Sequence, residues 1–195
     1  MKSLELKKII LIGASTGGPA HIEKILSSLE SLDKTAIIIA QHMGADFLPS
    51  FVKRLREKSN QNIFLAKDEE LICANTIYIA TDNCEIEASP QGIKFRVSKT
   101  QSAHFNPDIN NLFSSALPLL GDYTLLPILL TGIGDDGVNG CSALAQKGAQ
   151  CIAESQKSAV VYGIPARAKE RVQDILVKDL EEIISYINSF GASDV

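Results

Sequence analysis

The sequence predicts an α/β protein: a doubly wound, mostly parallel sheet with helices on both faces and an antiparallel β-hairpin edge. Short apolar runs rich in β-branched residues alternate along the chain with segments of helical period. The runs are almost continuously apolar, which is typical of parallel strands covered on both faces. A length of 195 residues, without repeats or linker-like tracts, favours one compact domain.

The first half of the chain contains apolar runs that predict two buried strands, at residues 8–13 and 35–40, and two further short strands, at 62–66 and 76–80. Two amphipathic segments between them predict helices, at residues 18–29 and 49–58. Residues 84–97 alternate apolar and polar side chains around the turn sequence Ser89-Pro90-Gln91-Gly92. This pattern predicts a β-hairpin, which we expect to lie at the edge of the main sheet.

The second half repeats the alternation of strands and helices. Asn106-Pro107-Asp108 opens a predicted helix that runs towards Leu117, with the proline near its first turn. A buried strand at 127–131 precedes a helix at 138–147, which Gly148 can end. Short strands at 151–153 and 174–177 and a closing amphipathic helix at 180–190 complete the prediction.

Composition excludes several classes of protein. With 19 Lys and Arg against 23 Asp and Glu, the chain has no basic excess, so we expect no nucleic-acid partner. The apolar runs are far shorter than the roughly 20 residues that cross a bilayer, and no secretory signal precedes them. We therefore expect a cytoplasmic protein without membrane insertion.

The four cysteines contain no C-x-x-C pair and predict neither a zinc site nor a disulfide framework; they are Cys73, Cys84, Cys141 and Cys151. Most of them are expected to be buried and reduced. We expect no metal and no organic cofactor.

Polar or glycine-rich segments follow three of the predicted strands. They are Gly13-Ala14-Ser15-Thr16-Gly17-Gly18, Gln41-His42-Met43 and Thr131-Gly132-Ile133-Gly134-Asp135-Asp136-Gly137. In an open parallel sheet the ligand crevice lies outside the carboxyl ends of the strands, so these distant segments are expected to converge.

The first segment fits G-x-S-x-G between a strand and a helix, as a nucleophile elbow requires, and makes Ser15 the candidate nucleophile. A serine hydroxyl needs a base to accept its proton, and the chain has three histidines. His42 directly follows a strand and is our general base. His21 lies on the next helix, where we expect a solvent-exposed or locally hydrogen-bonded side chain, and His104 is a weaker candidate in a polar stretch.

An anion is needed to orient the base and offset its charge, and Asp135 or Asp136 can supply it. Sequence spacing alone leaves the choice between these two carboxylates open. A further alternative is phosphate or nucleotide binding by the glycine-rich turn at a helix N-terminus. Its spacing matches neither the dinucleotide fingerprint nor the P-loop, so this signal is weak.

Taken together, the chain resembles the catalytic domain of the CheB-type chemotaxis methylesterases, over nearly its whole length. The residues that carry the resemblance are Ile12-Gly13-Ala14-Ser15-Thr16-Gly17-Gly18-Pro19, Gln41-His42-Met43, residues 130–137 and Val160-Val161-Tyr162-Gly163-Ile164-Pro165. The chain order Ser, His, Asp also differs from that of the α/β-hydrolases.

The resemblance implies hydrolysis of glutamate γ-methyl esters on methyl-accepting chemotaxis receptors, with release of methanol and possible deamidation of receptor glutamines. It implies Asp136 as the acid, because the family's aspartate directly precedes the last glycine of its motif. It further implies an oxyanion site made by the backbone amides of Thr16 and Ile133. Many relatives carry an N-terminal receiver domain; here we expect residues 1–195 to form the catalytic domain without one.

Three departures from the family pattern bear on turnover. The family's histidine is replaced in the segment that reads Ala80-Thr81-Asp82-Asn83-Cys84, its aspartate appears as Asn110, and its Q-D-E run reads Glu154-Ser155-Gln156. None of them removes Ser15, His42 or Asp136. They motivate an alternative function, a non-catalytic receptor-binding member of the same family.

Overall fold

A computed structural model of the chain describes residues 5–99 and 106–192. The strands are β1 Lys8–Ala14, β2 Thr35–Gln41, β3 Ile63–Leu65, β4 Thr76–Ile79, β5 Asn83–Ser89, β6 Gly92–Ser98, β7 Thr124–Leu129, β8 Ile152–Glu154 and β9 Leu176–Lys178. The helices are α1 Gly18–Ser27, α2 Leu48–Lys58, α3 Ile109–Ser115, α4 Val138–Gln146, α5 Ile164–Arg171 and α6 Leu180–Gly191. Short 3₁₀ turns lie at Ala45–Phe47 and Leu117–Leu119.

The main sheet orders its strands β3-β4-β2-β1-β7-β8-β9, and every neighbouring pair is parallel. Strand β1 lies at the centre of the sheet. Strands β2, β4 and β3 extend it to one side, in that order, and β7, β8 and β9 extend it to the other. The order therefore reverses around β1, the point at which doubly wound sheets open a crevice beyond their carboxyl ends.

Two hydrophobic layers cover this sheet because its central strands are apolar on both faces. Ile10 and Ile12 of β1 pack with α1, α2 and α6, whereas Ile9 and Leu11 pack with α3, α4, α5 and the hairpin. The predicted doubly wound α/β fold is confirmed. Within the described ranges none of the helices is both long enough and apolar enough to cross a membrane.

The predicted hairpin forms as β5 and β6, but its expected place at the edge of the main sheet is wrong. The two strands pair antiparallel as a separate two-stranded sheet. Their alternation puts Cys84, Ile86, Ile93 and Phe95 on one apolar face, and that face is buried against the core beside α3. Covering the sheet buries more apolar surface than extending its edge would.

Helix α5 was not expected from the sequence. It has only eight residues, and its buried side chains are Ile164, Pro165 and Ala168, too few for a clear helical period. Its proline at the first turn is the one local signal of a helix start.

Phe95 is expected to anchor the hairpin to the core. Its fully buried ring meets Tyr78 edge to face, with the centroids 4.9 Å apart. Phe95→Ala should lower the free energy of unfolding by about 3 to 5 kcal/mol, because it leaves a cavity where the ring was. Urea unfolding measures this loss. The neighbouring exposed residue gives the control: Arg96→Ala should cost less than about 1 kcal/mol, and equal losses for both variants would contradict the anchoring role.

Candidate active site

The three polar strand ends meet at one edge of the sheet, since β2, β1 and β7 are neighbours in register. Backbone hydrogen bonds continue beyond the strands and join the segments. The Ser15 N–H donates to the Thr131 carbonyl at 3.0 Å, and the His42 N–H donates to the Ala14 carbonyl at 2.9 Å. The convergence expected from the sequence therefore has a direct structural basis.

The turn that carries Ser15 depends on glycine at position 17. Gly17 has a φ of 85° and precedes α1, and a Cβ there would lie 2.7 Å from Cβ of Val160. The Ser15 carbonyl accepts from the Gly18 N–H and from Nε2 of Gln41, each at 2.9 Å. The Ser15 hydroxyl is partly buried and forms no hydrogen bond with the residues that the structure describes.

His42 and Asp136 are in contact. Nε2 of His42 lies 2.7 Å from Oδ2 of Asp136, and their side chains are only 12% and 2% exposed. Because the carboxylate accepts a hydrogen bond from Nε2–H, the tautomer it favours carries its lone pair on Nδ1. This is the arrangement that a histidine needs to accept a proton from a serine.

The start of α3 holds the Asp136 carboxylate in place. The backbone N–H groups of Ile109 and Asn110 donate to Oδ2 and Oδ1 at 2.9 and 3.0 Å. Sequence reasoning missed these two donors, although the helix start at Asn106-Pro107-Asp108 was a signal that free N–H groups would be available there. Asp108 caps the helix by accepting from the Asn111 N–H.

Asn110, one of the departures from the family pattern, has a structural function here. Its Oδ1 accepts from the Gly140 N–H at 3.0 Å and thereby ties α3 to α4. An amide oxygen can accept this bond as a carboxylate oxygen would. The exchange of aspartate for asparagine therefore preserves the acceptor at this position.

The neighbouring acid points away from the site. Asp135 is exposed, and its Oδ2 lies 3.0 Å from Nη1 of Arg171. The structure thus brings Asp136, and not Asp135, against His42. Cys84, at another departure from the family pattern, is buried in the core, and this burial raises the pKa of its thiol to about 12.

The other two histidines have different outcomes. The expectation of a solvent-exposed or locally hydrogen-bonded His21 is wrong: it is buried and pairs with Glu154, far away in sequence. The helical position of His21 gave no sign of this partner, which comes from the end of β8. His104 lies outside the described residues.

Two backbone amides are available near Ser15 for a developing negative charge. Within the described part of the chain, neither the Thr16 N–H nor the Ile133 N–H donates a hydrogen bond. Both residues are exposed, and Ile133 follows Gly132, which lies against Ser15. Their role as an oxyanion site remains a prediction from the family resemblance.

Gly132 allows the segment with Ile133 to approach the elbow. A Cβ at this position would lie 2.7 Å from both Ser15 Cβ and Ile164 Cδ1. Gly132→Ala is therefore expected to push Ser15 and Ile133 apart and to lower kcat by up to about 100-fold, as misplacement of about 1 Å can. Steady-state hydrolysis of the methyl ester substrate that the family resemblance implies measures kcat. Gly148→Ala is the control for glycine replacement: nothing lies within 4 Å of its added Cβ, but its φ of 94° is strained for alanine, so it should lower stability and leave kcat unchanged. Equal kcat losses in both variants would contradict this reason.

Metal ligation has no candidate set in the described ranges, where no three His, Cys, Asp or Glu side chains are grouped as ligands would be. The arrangement instead offers a hydroxyl, a histidine oriented by a carboxylate, and two amide donors. These are the groups used in acyl transfer from esters and amides.

Fold and site together define a class: a doubly wound α/β domain that gathers serine, histidine and aspartate at the carboxyl edge of its sheet. A model of the CheB methylesterase family matches residues 10–187. The chain belongs to the CheB methylesterase family.

Individual relatives agree with this assignment. The protein-glutamate methylesterase/protein-glutamine glutaminase of Methanosarcina barkeri is 34% identical, with 94% of this chain and 53% of the relative covered. A Rhizobium meliloti protein of the same name, from the group 3 operon, is 36% identical, with 94% and 51% covered. The crystal structure of the Thermotoga maritima CheB methylesterase catalytic domain superposes with a TM-score of 0.83 at 26% identity, with 94% and 98% of the two chains covered. The chain spans about half the length of the curated relatives it matches.

Proposed function

We propose that this chain is a serine esterase that hydrolyses glutamate γ-methyl esters on chemotaxis receptors in the cytoplasm and releases methanol. The observation that carries the proposal is the 2.7 Å contact between His42 and Asp136, at the sheet edge where the elbow presents Ser15. The relatives named as protein-glutamate methylesterases support the choice of substrate.

In the first half of the proposed reaction, Ser15 Oγ attacks the γ-ester carbonyl while its proton passes to Nδ1 of His42. The Asp136 carboxylate offsets the positive charge of the imidazolium. The amides of Thr16 and Ile133 stabilise the oxyanion of the tetrahedral intermediate. The bond to the methoxy group then breaks, and methanol leaves with the proton from His42.

In the second half, water gives a proton to His42 and attacks the acyl-serine ester. The bond to Ser15 Oγ breaks, the proton returns to that oxygen, and the product is a glutamate γ-carboxylate. A glutamine side chain can follow the same path with ammonia as the leaving group, in keeping with the second part of the relatives' names. Every proton moves between groups of this chain, the substrate and water, so the steps require no cofactor.

The surroundings of Ser15 suit a protein substrate. Ile133 and Val160 are 63% and 64% exposed, and both flank the elbow, Val160 over Gly17 and Ile133 next to Gly132. Exposed apolar side chains around a site are typical of contact with another protein. We propose that they contact the receptor helix that carries the methylated glutamate.

Methanol release from receptor-containing membranes tests the proposal. Receptors methylated with a labelled methyl group are incubated with the purified chain, and volatile label is counted against a sample without it. We expect release that depends on the chain. Binding to the receptors without release of methanol would favour the alternative, a non-catalytic receptor-binding member of the family.

A further inference from the structure

A second buried histidine and carboxylate lie behind the elbow and have no part in the mechanism above. Nδ1 of His21, on α1, is 3.1 Å from Oε1 and 3.2 Å from Oε2 of Glu154, at the end of β8. Their side chains are 11% and 0% exposed. Burying a carboxylate away from water costs free energy unless hydrogen-bond donors surround it.

Glu154 has such donors on both oxygens. Besides His21, the Thr131 N–H donates to Oε2 at 2.8 Å and the Ser158 hydroxyl donates to Oε1 at 2.8 Å. The residue stands where the family pattern has the glutamine of its Q-D-E run. An amide and a carboxylate both offer an oxygen to the Thr131 N–H.

Thr131 connects this pair to the site. It is fully buried, and its carbonyl accepts from the Ser15 N–H at 3.0 Å. Its hydroxyl donates to the Thr16 carbonyl and accepts from the Val161 N–H, both at 2.9 Å. Thr131 is thus bonded to the elbow on one side, and its chain continues into Gly132 and Ile133 on the other.

We propose that His21 and Glu154 are positioning residues for the serine site. Glu154 fixes the Thr131 backbone, and through it the elbow and the two amides assigned to the oxyanion. His21 supplies one of the three donors that keep the Glu154 carboxylate stable in the interior. This inference rests on the proposed function, because both residues act through Ser15 and its oxyanion donors.

Four variants separate the parts of this proposal. Glu154→Ala removes the acceptor for Thr131 and should lower kcat by about 10- to 100-fold with KM nearly unchanged, because the elbow is misplaced. Glu154→Gln keeps the acceptor and should retain most of the activity. His21→Leu removes one of the three donors to the carboxylate and should lower kcat. Adding Glu154→Gln to it should restore activity, since a neutral amide is less costly to bury.

Two further measurements do not depend on methyl ester turnover. The first is the rate at which a fluorophosphonate labels Ser15, and the second is hydrogen exchange of the Thr131 amide. In Glu154→Ala the labelling of Ser15 should be slower and the exchange of the Thr131 amide faster. Both rates should return towards the wild-type values in Glu154→Gln. Ile187→Ala is the control for lost stability, because it opens a cavity in fully buried α6 packing and Ile187 is not one of the hydrogen-bond partners of Glu154; it should lower Tm and leave kcat unchanged.

The outcomes distinguish the two proposals. Wild-type kcat and labelling in Glu154→Ala would overturn the positioning role, and so would a Glu154→Gln variant as slow as the alanine variant. Labelling and exchange that change as expected, without methanol release by any protein including the wild type, would support positioning and overturn the methylesterase function. A wild-type chain that is not labelled at Ser15 would overturn both.

Discussion

Replacing Ser15 with alanine is expected to lower kcat for methanol release by at least about 10⁴-fold. The variant lacks the oxygen that would form the acyl bond, so only binding and the oxyanion donors remain to assist attack by water. The Ser15 hydroxyl has no hydrogen-bond partner among the described residues, and its removal leaves no buried group unsatisfied. We therefore expect the fold to be unchanged.

Labelled methanol from methylated receptors measures the loss, and circular dichroism verifies the fold. Ser27→Ala is a matched control, because Ser27 is exposed on α1 and its hydroxyl bonds only to the Lys24 carbonyl. This control should keep wild-type activity. Methanol release at the wild-type rate by Ser15→Ala would show that the reaction does not pass through this serine.

The location of the site could be predicted from the sequence because it depends on a simple topological property. Apolar runs identified the strands, and the carboxyl ends of parallel strands share an edge. Ser15 and His42 each directly follow such a run, so their approach required no knowledge of side-chain packing. The G-x-S-x-G turn then limited the chemistry to a serine nucleophile.

The orientation of the acids could not be predicted from local spacing. Asp135 and Asp136 are neighbours in one turn, and the choice between them came from the family resemblance alone. In the structure the orientation of Asp136 follows from the N–H groups of Ile109 and Asn110, which belong to another part of the chain.

Long-range pairing also explains the two errors of location. The prediction for His21 was based on its position in α1 alone, yet its partner is Glu154, at the end of β8. The hairpin was placed at the edge of the sheet by its strand pattern, yet its apolar face, with Phe95, is buried against the core. Hydrophobic periodicity in the sequence indicates that a face is apolar, but it does not indicate which part of the protein covers that face.

Exchanging Asp136 for asparagine is expected to lower kcat by about 10⁴-fold, although the two side chains have the same shape. The asparagine amide can donate to Nε2 of His42, which stabilises the tautomer with the proton on Nδ1. That proton occupies the nitrogen that has to accept the proton of Ser15. With its NH2 towards His42, the asparagine oxygen can still accept from the Asn110 N–H, whereas the Ile109 N–H loses its acceptor. We therefore expect a loss of stability of about 1 to 3 kcal/mol besides the loss of kcat.

Asp135→Asn is the matched control, because it makes the same chemical change one residue away. Its carboxylate is exposed and pairs with Arg171, and an exposed ion pair contributes little to stability. We expect kcat within about threefold of the wild-type value, since no group of the proposed reaction contacts it. The acid assignment would be reversed if Asp135→Asn lost activity and Asp136→Asn kept it. Equal losses in both variants would instead indicate that the charge of the whole turn, and not the contact with His42, supports the reaction.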